Sequence, residues 1–423
     1  MCGVGSPQGG PRLAEGGGRN LRAVVLGGGG LTGRGSVRDL ATGGRFDSVV
    51  AADLDPDLAA AAAKAAGPRA IAATLDVRDR TQLVELLHGA TVCVNAVQYG
   101  FNLTVMEAAL EAKVPYLDFG GLFHMTRRQL ALDARFRSAG VLAIPGLGQV
   151  PGVSNVLAME GCRDLERVES IVIRDGWRDL TVGGPEISFT WSPSTFLDEM
   201  VLPAMVFDHG RYREEPPMSG AEEFDFAPPV GRTRVYRTLH SEPATLPDSL
   251  AAKGIVHCEW KEGGPGIEVL RTMALLGLAS DRPVDVRGQS VTPREFTLAL
   301  LKREKLLGAP DGVALDDWEV CDLEIHGSKD GRPAVRHAVA RFPPRPDWHL
   351  TATEYAVGVA GAVGAELIAD GQVPHVGVVP PERCLPAGPF RAALARRGIR
   401  TAIVPPEPSL PEDWRGEPKR TSG

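Results

Sequence analysis

Short apolar runs alternate with longer, helix-spaced segments through the first third of the chain. The runs are Ala23 to Leu26, Ser48 to Ala52, Ala70 to Leu75, Thr91 to Ala96, Val114 to Asp118 and Gly140 to Ile144. Between them lie Leu31 to Thr42, Leu58 to Ala66, Thr81 to His88, Leu103 to Ala112 and Arg127 to Ala139, which read as helices. Strands alternating with helices of this length predict a parallel sheet with right-handed crossovers. Ligands bind such sheets beyond the carboxyl ends of the strands. Asp53, Asp76, Asn95 to Asn102, Asp118 to Gly121 and Gly146 to Asn155 all fall at that edge.

From Glu166 the pattern changes. Val168 to Arg174, Glu186 to Thr190, Thr233 to Leu239, Ile255 to Trp260, Cys321 to His326 and Ala334 to Phe342 read as strands of a mostly antiparallel or mixed sheet. Helices are expected at Pro193 to Met205, Pro265 to Leu276 and Pro293 to Lys302, with Ser192-Pro193-Ser194 as a helix start. Asp330-Gly331 suits a hairpin tip. Helical pattern returns at Glu354 to Asp370 and Pro389 to Arg397. The expected organisation is a glycine-rich lead (1–20), an α/β domain (21–150), an α+β domain with a mixed sheet (151–346), a C-terminal segment (347–404) and a proline-rich, charged tail (405–423).

A chain of 423 residues exceeds the usual single core, in keeping with two domains. A net charge of −7 and the lack of a basic, aromatic-interleaved cluster argue against nucleic acid as a partner. Cys2, Cys93, Cys162, Cys258, Cys321 and Cys384 are scattered without a C-x-x-C pair, which points to a reducing cytoplasm and no zinc site. Met1 to Asn20 lacks the apolar core of a signal peptide, and Ala356 to Ala369 is too short and glycine-broken to span a membrane.

Candidate chemistry begins at Gly28-x-Gly30-x-x-Gly33, between the first strand and first helix. Glycines there permit a tight turn, close backbone approach to a pyrophosphate and close helix–strand packing. Leu31 and Thr32, inside the motif, open the helix, whose free N–H groups and dipole favour phosphate. This is the fingerprint of a Rossmann-type dinucleotide-binding domain. Asp53 ends the second strand about twenty residues on, where an acid accepts the ribose hydroxyls and repels a 2′-phosphate. NAD is therefore expected, with NADP possible. Asp53 could instead cap the alanine-rich helix that follows. Asp76, Asn95, Ala96, Gln98 and Asn155 are further candidate cofactor contacts.

The strings VVLGGGGLTGRG, NAVQYGFNLTVMEAALEAKVPYLDFGG, VLAIPGLGQVPGVSNVLA, YRTLHSEPATLP and GVVPPERCLPAGPFRAALARRGI resemble the saccharopine dehydrogenase/reductase superfamily, in particular its lysine 6-dehydrogenase-like branch. The resemblance implies a two-domain NAD(P)-dependent oxidoreductase acting on a CH–NH or CH–NH₂ bond of an amino acid. It further implies a second domain serving catalysis and dimerisation, a C-terminal segment returning to the first domain, and a homodimer. Lysine 6-dehydrogenation or saccharopine-type chemistry is the leading expectation; a carboxyspermidine-type imine reductase and a non-catalytic NAD redox sensor are the alternatives. NADP-preferring saccharopine reductases resemble one another in carrying a basic residue where this chain has Asp53.

Amine dehydrogenation needs a base near neutral pKa and anchors for the substrate. Tyr99, past the fourth strand, is a candidate at the nicotinamide ribose, or a loop aromatic packed on the sheet edge. Asp118 could hold a substrate ammonium or cap the next helix. His240 has the right pKa range for a proton relay, with Glu242 to orient it. His124 is a weaker candidate. Arg174, Arg178, Arg232 and Arg234 could each clamp a substrate carboxylate. No metal-ligand cluster or G-x-S-x-G elbow is present in the sequence.

Overall fold

The computed structural model describes residues 20–184 and 188–404. The expected parallel and mixed sheets are both present. The first part runs β1 (Arg22–Leu26), α1 (Gly33–Gly43), β2 (Ser48–Asp53), α2 (Pro56–Ala66), β3 (Ala70–Thr74), α3 (Arg80–Leu87), β4 (Val92–Asn95), α4 (Asn102–Ala112), β5 (Tyr116–Asp118), α5 (Leu122–Leu130), α6 (Asp133–Ala139) and β6 (Leu142–Ile144). The helix expected over Arg127 to Ala139 is thus two helices, split at Ala131–Leu132. Burial of β1, β2 and β4 on both faces explains their near-continuous apolar runs.

The chain continues through α7 (Val153–Gly161), β7 (Arg167–Asp179), α8 (Pro193–Val201), β8 (Ala204–Asp208), β9 (Arg211–Glu215), β10 (Ser219–Asp225), β11 (Arg232–Arg237), α9 (Leu246–Leu250) and β12 (His257–Gly263). Then come α10 (Ile267–Leu275), β13 (Val284–Val286), β14 (Gln289–Val291), α11 (Pro293–Arg303), β15 (Asp317–Lys329) and β16 (Arg332–Phe342). The last elements are α12 (Ala352–Ala369), β17 (Gly377–Val378), α13 (Pro381–Cys384), α14 (Ala387–Arg396) and β18 (Arg400–Val404).

Ser192 caps α8 through the Thr195 N–H at 3.3 Å with Pro193 in the first turn, as expected. The helix stops at Val201, and Ala204 already belongs to β8. Asp330 and Gly331 both take positive φ at the β15–β16 tip. The strand expected over Glu186 to Thr190 lies partly outside the described residues; Phe189 forms only an isolated bridge to Leu307.

Seven parallel strands form the first sheet in the order β17-β6-β5-β4-β1-β2-β3. The larger sheet is ordered β10-β11-β12-β7-β15-β16-β18, with β8 and β9 attached through β12. Its β12–β7 pair is parallel while β15 runs antiparallel to β7, so the sheet is mixed. The C-terminal segment serves both sheets: β17 extends the first, while β18 pairs with β16 of the second.

Helix α12 joins the two halves. Its glycines let it seat against backbone: a Cβ on Gly358 would lie 2.6 Å from the Thr32 oxygen and 2.8 Å from the Ser36 nitrogen. Ser36 Oγ donates to Gly358 O at 2.6 Å, and Arg34 reaches Glu354 at 2.7 Å. At its start a capping box pairs Thr351 with Glu354, and Asp317 of β15 accepts the Ala352 N–H at 2.6 Å.

Although the Asp317 residue keeps an edge in solvent, its Oδ1 is buried without a partner, and burial raises its carboxyl to about 7. The folded pKa lies above the unfolded 3.8, so folding takes up a proton between these values. This group's contribution is therefore fully favourable below the unfolded pKa and lost as pH rises to about 7. Asp317→Asn keeps an acceptor for Ala352 and should flatten that fall. Denaturant unfolding of both proteins between pH 4 and 8 checks this; parallel stability profiles would refute it.

Candidate active site

The turn after β1 is made by Gly27, at φ +69°, whose added Cβ would lie 2.8 Å from the Ala96 oxygen of the neighbouring strand end. The position needing left-handed backbone therefore precedes the first glycine of the motif. At Gly33 a Cβ would meet the Gly27 oxygen at 2.0 Å, so only glycine lets α1 start there. Among the described residues, the N–H groups of Leu31, Thr32 and Gly33 take no backbone acceptor. Three free donors at the positive end of an 11-residue helix form a phosphate cradle.

Asp53 ends β2 beside this cradle, its carboxylate accepting the Gly29 N–H at 3.0 Å and the Asp55 N–H at 3.1 Å. Helix α2 is capped by Asp55, not Asp53, through the Asp57 and Leu58 N–H groups at 3.0 and 3.4 Å. The alternative role for Asp53 is thereby taken by its neighbour. Asp76 lies past β3, away from the cleft, its carboxylate bound to Arg78 at 2.6 Å, which holds it below the usual carboxylate range.

A cleft opens between the two sheets from Thr32 past Ala96, Gln98 and Tyr99. Gln98 donates across it to Ser194 at 3.1 Å, and Tyr99 donates to Asp198 at 2.8 Å. Burial, helped by Asp198, pushes the Tyr99 phenol up, so it stays protonated. His240 lines the same cleft, stacked on Trp260 with centroids 3.7 Å apart. Its Nδ1 contacts Glu242, which accepts Ser154 Oγ at 2.7 Å.

Three sequence candidates are turned away from the cleft. Asp118 is fully buried and accepts from Tyr116 at 2.7 Å, Gln129 at 2.5 Å and the Gly120 and Gly146 N–H groups at 2.8 Å. It ties the loops after β5 and β6 together and has no oxygen left for a substrate; nor does it cap α5. Asn95 donates to Asn102 and Tyr116 at 3.0 Å. Asn155 accepts from Gly152 at 3.0 Å and donates to Thr245 and Glu382 at 3.1 Å. These partners replace the ligand that each polar side chain was expected to meet.

None of the four candidate arginines lines the cleft. Arg174 pairs with Glu222 and Glu324 at 2.5 and 2.8 Å, Arg178 donates to Pro229 O at 3.1 Å, and Arg232 and Arg234 pair with Glu223. His124 is exposed on α5.

The second-domain wall is acidic instead. Asp175, Glu199, Glu262 and Glu319 line the cleft and are buried, and among the described residues no lysine or arginine lines it. The cause is alternation along two adjacent strands. In β7 and β12, Arg174 and Lys261 are register partners, as are Asp175 and Glu262. The cations fall on one face, where Glu222 neutralises both at 2.5 and 3.1 Å. The acids fall on the other, with Glu319 reaching in from β15 and Glu199 from α8.

Glu262 accepts from Thr238 at 2.6 Å and Glu319 from Thr353 at 2.7 Å, whereas Asp175 Oδ1 and Glu199 Oε2 are buried without partners. Burial pushes Asp175 far above the usual carboxylate range, and the adjacent Glu319 adds to the rise. Glu199 is raised likewise, by burial and then by Glu262. Among the described residues no His, Cys, Asp and Glu group is arranged to hold a metal ion.

Sequence reasoning missed Asp175, Glu199, Glu262 and Glu319. For Asp175 and Glu262 the signal was a charge beside an opposite charge within a strand, RD in β7 and KE in β12.

Residues 23–144 match the saccharopine dehydrogenase NADP binding domain and residues 148–399 the saccharopine dehydrogenase C-terminal domain. The chain is similar to carboxynorspermidine synthase of Vibrio cholerae, 26% identical over 79% of this chain and 83% of that protein. It is 24% identical to carboxyaminopropylagmatine dehydrogenase of Synechocystis over 80% of this chain and 86% of that one. Among solved structures, saccharopine dehydrogenase (L-Glu forming) of Saccharomyces cerevisiae superposes with TM-score 0.70 at 17% identity, covering 91% of this chain and 99% of that one. Homospermidine synthase of Legionella pneumophila, solved with NAD, superposes with TM-score 0.62 at 12% identity, covering 95% and 93%. The chain belongs to the saccharopine dehydrogenase family and is an oxidoreductase with a nicotinamide-dinucleotide site. The free N–H groups at Leu31 to Gly33, and a cradle that a Cβ would fill, fit that cofactor. No helix among the described residues is long and apolar enough to cross a membrane.

Asp53→Ala tests the expected ribose role, because it removes the carboxylate beside the cradle that would accept ribose hydroxyls and repel a 2′-phosphate. Titration should show NADH binding roughly tenfold weaker, one charged hydrogen bond's worth, with NADPH binding unchanged or tighter. Equal losses for both would refute the ribose role.

Proposed function

We propose that this enzyme reduces the imine formed between an aldehyde-bearing amino acid and a diamine to a secondary amine, or in reverse oxidises that amine to the imine, with NAD the preferred cofactor. The observation that carries the reading is the cleft wall of four buried carboxylates, with no lysine or arginine among the described residues that line it. Saccharopine, rich in carboxylates, calls for guanidinium clamps; a polyamine calls for acids. The names of the two relatives point the same way. The lysine 6-dehydrogenase expectation is the weaker because lysine leaves one unreacting ammonium for these acids, whereas the condensation leaves two, one from each partner.

A bound dinucleotide supplies or accepts the hydride; the remaining work belongs to the protein. Asp175, Glu199 and Glu262 hold the ammonium groups that do not react, losing their raised pKa as the cations arrive. The same field stabilises an iminium beside it, because preoriented charge in a dry cleft needs no reorganisation. His240, with Nδ1 engaged by Glu242, moves a proton at Nε2 between the reacting nitrogen and water. Trp191, in the cleft wall, offers an aromatic face to a cation.

Oxidation of NADH is the assay, with aspartate semialdehyde offered alongside 1,3-diaminopropane, putrescine or agmatine. Turnover is expected with at least one pair. Reduction of NAD by lysine or saccharopine with no condensation activity would overturn the reading, and dinucleotide binding without any turnover would favour a redox sensor. Glu199→Gln and Asp175→Asn should each raise the amine KM at least tenfold, as expected for an unpaired buried ion partner, with smaller effects on kcat.

His240→Ala should lower kcat by about 10²- to 10⁴-fold, the usual worth of a proton-transfer group, while leaving the NADH dissociation constant unchanged. Unaltered kcat would remove it from the relay.

A further inference from the structure

Gln149 lies in the loop between β6 and α7. It is 0% exposed, and both its Nε2 and its Oε1 are buried without a hydrogen-bond partner. Leaving a buried polar group unpaired costs about 1–3 kcal/mol, so a group unpaired at both ends is held for a ligand. The side chain borders the cleft beside Gly120 and Val357.

The loop gives it no way out. Gly148 N donates to Pro151 O at 2.8 Å, Val153 N reaches back to Gly148 O at 3.1 Å, and a Cβ on Gly152 would lie 2.3 Å from the Gly148 oxygen. The Nε2 of Gln98, another carboxamide lining the cleft, already donates to Ser194.

Sheet order fixes what reaches Gln149. With Asp53 on β2 marking the adenosine ribose and the phosphate cradle following β1, the dinucleotide runs along β2-β1-β4-β5-β6. Its nicotinamide end therefore arrives over the loops after β5 and β6. A ring carboxamide presents one acceptor and one donor, the complement of a free glutamine amide. Ammonium groups are drawn instead to the acids on the far wall.

We propose that Gln149 recognises the carboxamide of the nicotinamide ring through a reciprocal pair of hydrogen bonds. The pairing fixes the ring's rotation about its glycosidic bond, and so sets which ring face meets the substrate. Gln149 acts as a binding and positioning residue for the cofactor.

Equilibrium titration tests this on the full chain, with NADH, reduced 3-acetylpyridine adenine dinucleotide and ADP-ribose as probes. The acetylpyridine compound replaces the amide by a methyl ketone, and ADP-ribose lacks the ring. Wild type should favour NADH over the ketone analogue by roughly tenfold, the worth of one or two hydrogen bonds. Gln149→Leu should bind both reduced dinucleotides alike, with NADH weakened by a similar factor and ADP-ribose unchanged. Gln149→Glu, which keeps the acceptor and loses the donor, should weaken both reduced dinucleotides and still favour NADH, whose carboxamide N–H the carboxylate accepts. ADP-ribose binding reports the dinucleotide site itself, so failure there is distinct from failure at Gln149. A Gln149→Leu protein that keeps the wild-type NADH-to-analogue ratio overturns the proposal. So does equal weakening of ADP-ribose, which would mark a purely structural role.

Discussion

A cluster of buried carboxyl groups sits where the two halves of this enzyme meet. Asp175 and Glu262 face each other across paired strands, Glu319 and Glu199 close around them, and the neighbouring cations Arg174 and Lys261 are held on the opposite face. Like charges in such a place oppose folding, and burial raises the carboxyl pKa values, with mutual repulsion adding to the rise. A region that tolerates such a cost is organised around a ligand that removes it. The acids thereby tie the stability of the second sheet to the chemistry of the substrate.

The first sheet solves a different problem. It must bring bare backbone close to phosphate while holding its loops rigid. Gly27 and Gly33 provide the approach, and Asp118 provides the rigidity by tying the loops after β5 and β6 to one buried carboxylate. Helix α12 couples this machinery to the second sheet. Its small residues let it lie against the backbone of α1, and its N-terminus is anchored by Asp317 from β15. A substituent on that helix face would be felt at Thr32, inside the cradle.

Much of the dinucleotide half was legible in the sequence because its determinants are local. A strand, four consecutive glycines, a helix and an acid at the next strand tip specify one another within about thirty residues. Even there the reading needed the structure: the left-handed glycine is Gly27, and Asp55 rather than Asp53 caps α2. Asp118, Asn95 and Asn155 were correctly placed at the carboxyl edge of the sheet. Their direction was not legible, because it is decided by partners on other elements: Gln129 and Asn102, 11 and 7 residues away, and Thr245 and Glu382, 90 and 227 residues away.

What the sequence by itself determined is the glycine cradle, the alternation of strands and helices that makes the sheet parallel, and the presence of His240 with Glu242 two residues on. These follow from backbone sterics, from periodicity and from nearest neighbours along the chain. Only the tertiary structure decided which charges share a cleft. Asp175, Glu199, Glu262 and Glu319 come from four separate elements, and their register across β12, β7 and β15 is set by long-range pairing. A buried carboxylate's meaning depends on what stands within a few ångströms of it, and that distance exists only once the chain is folded.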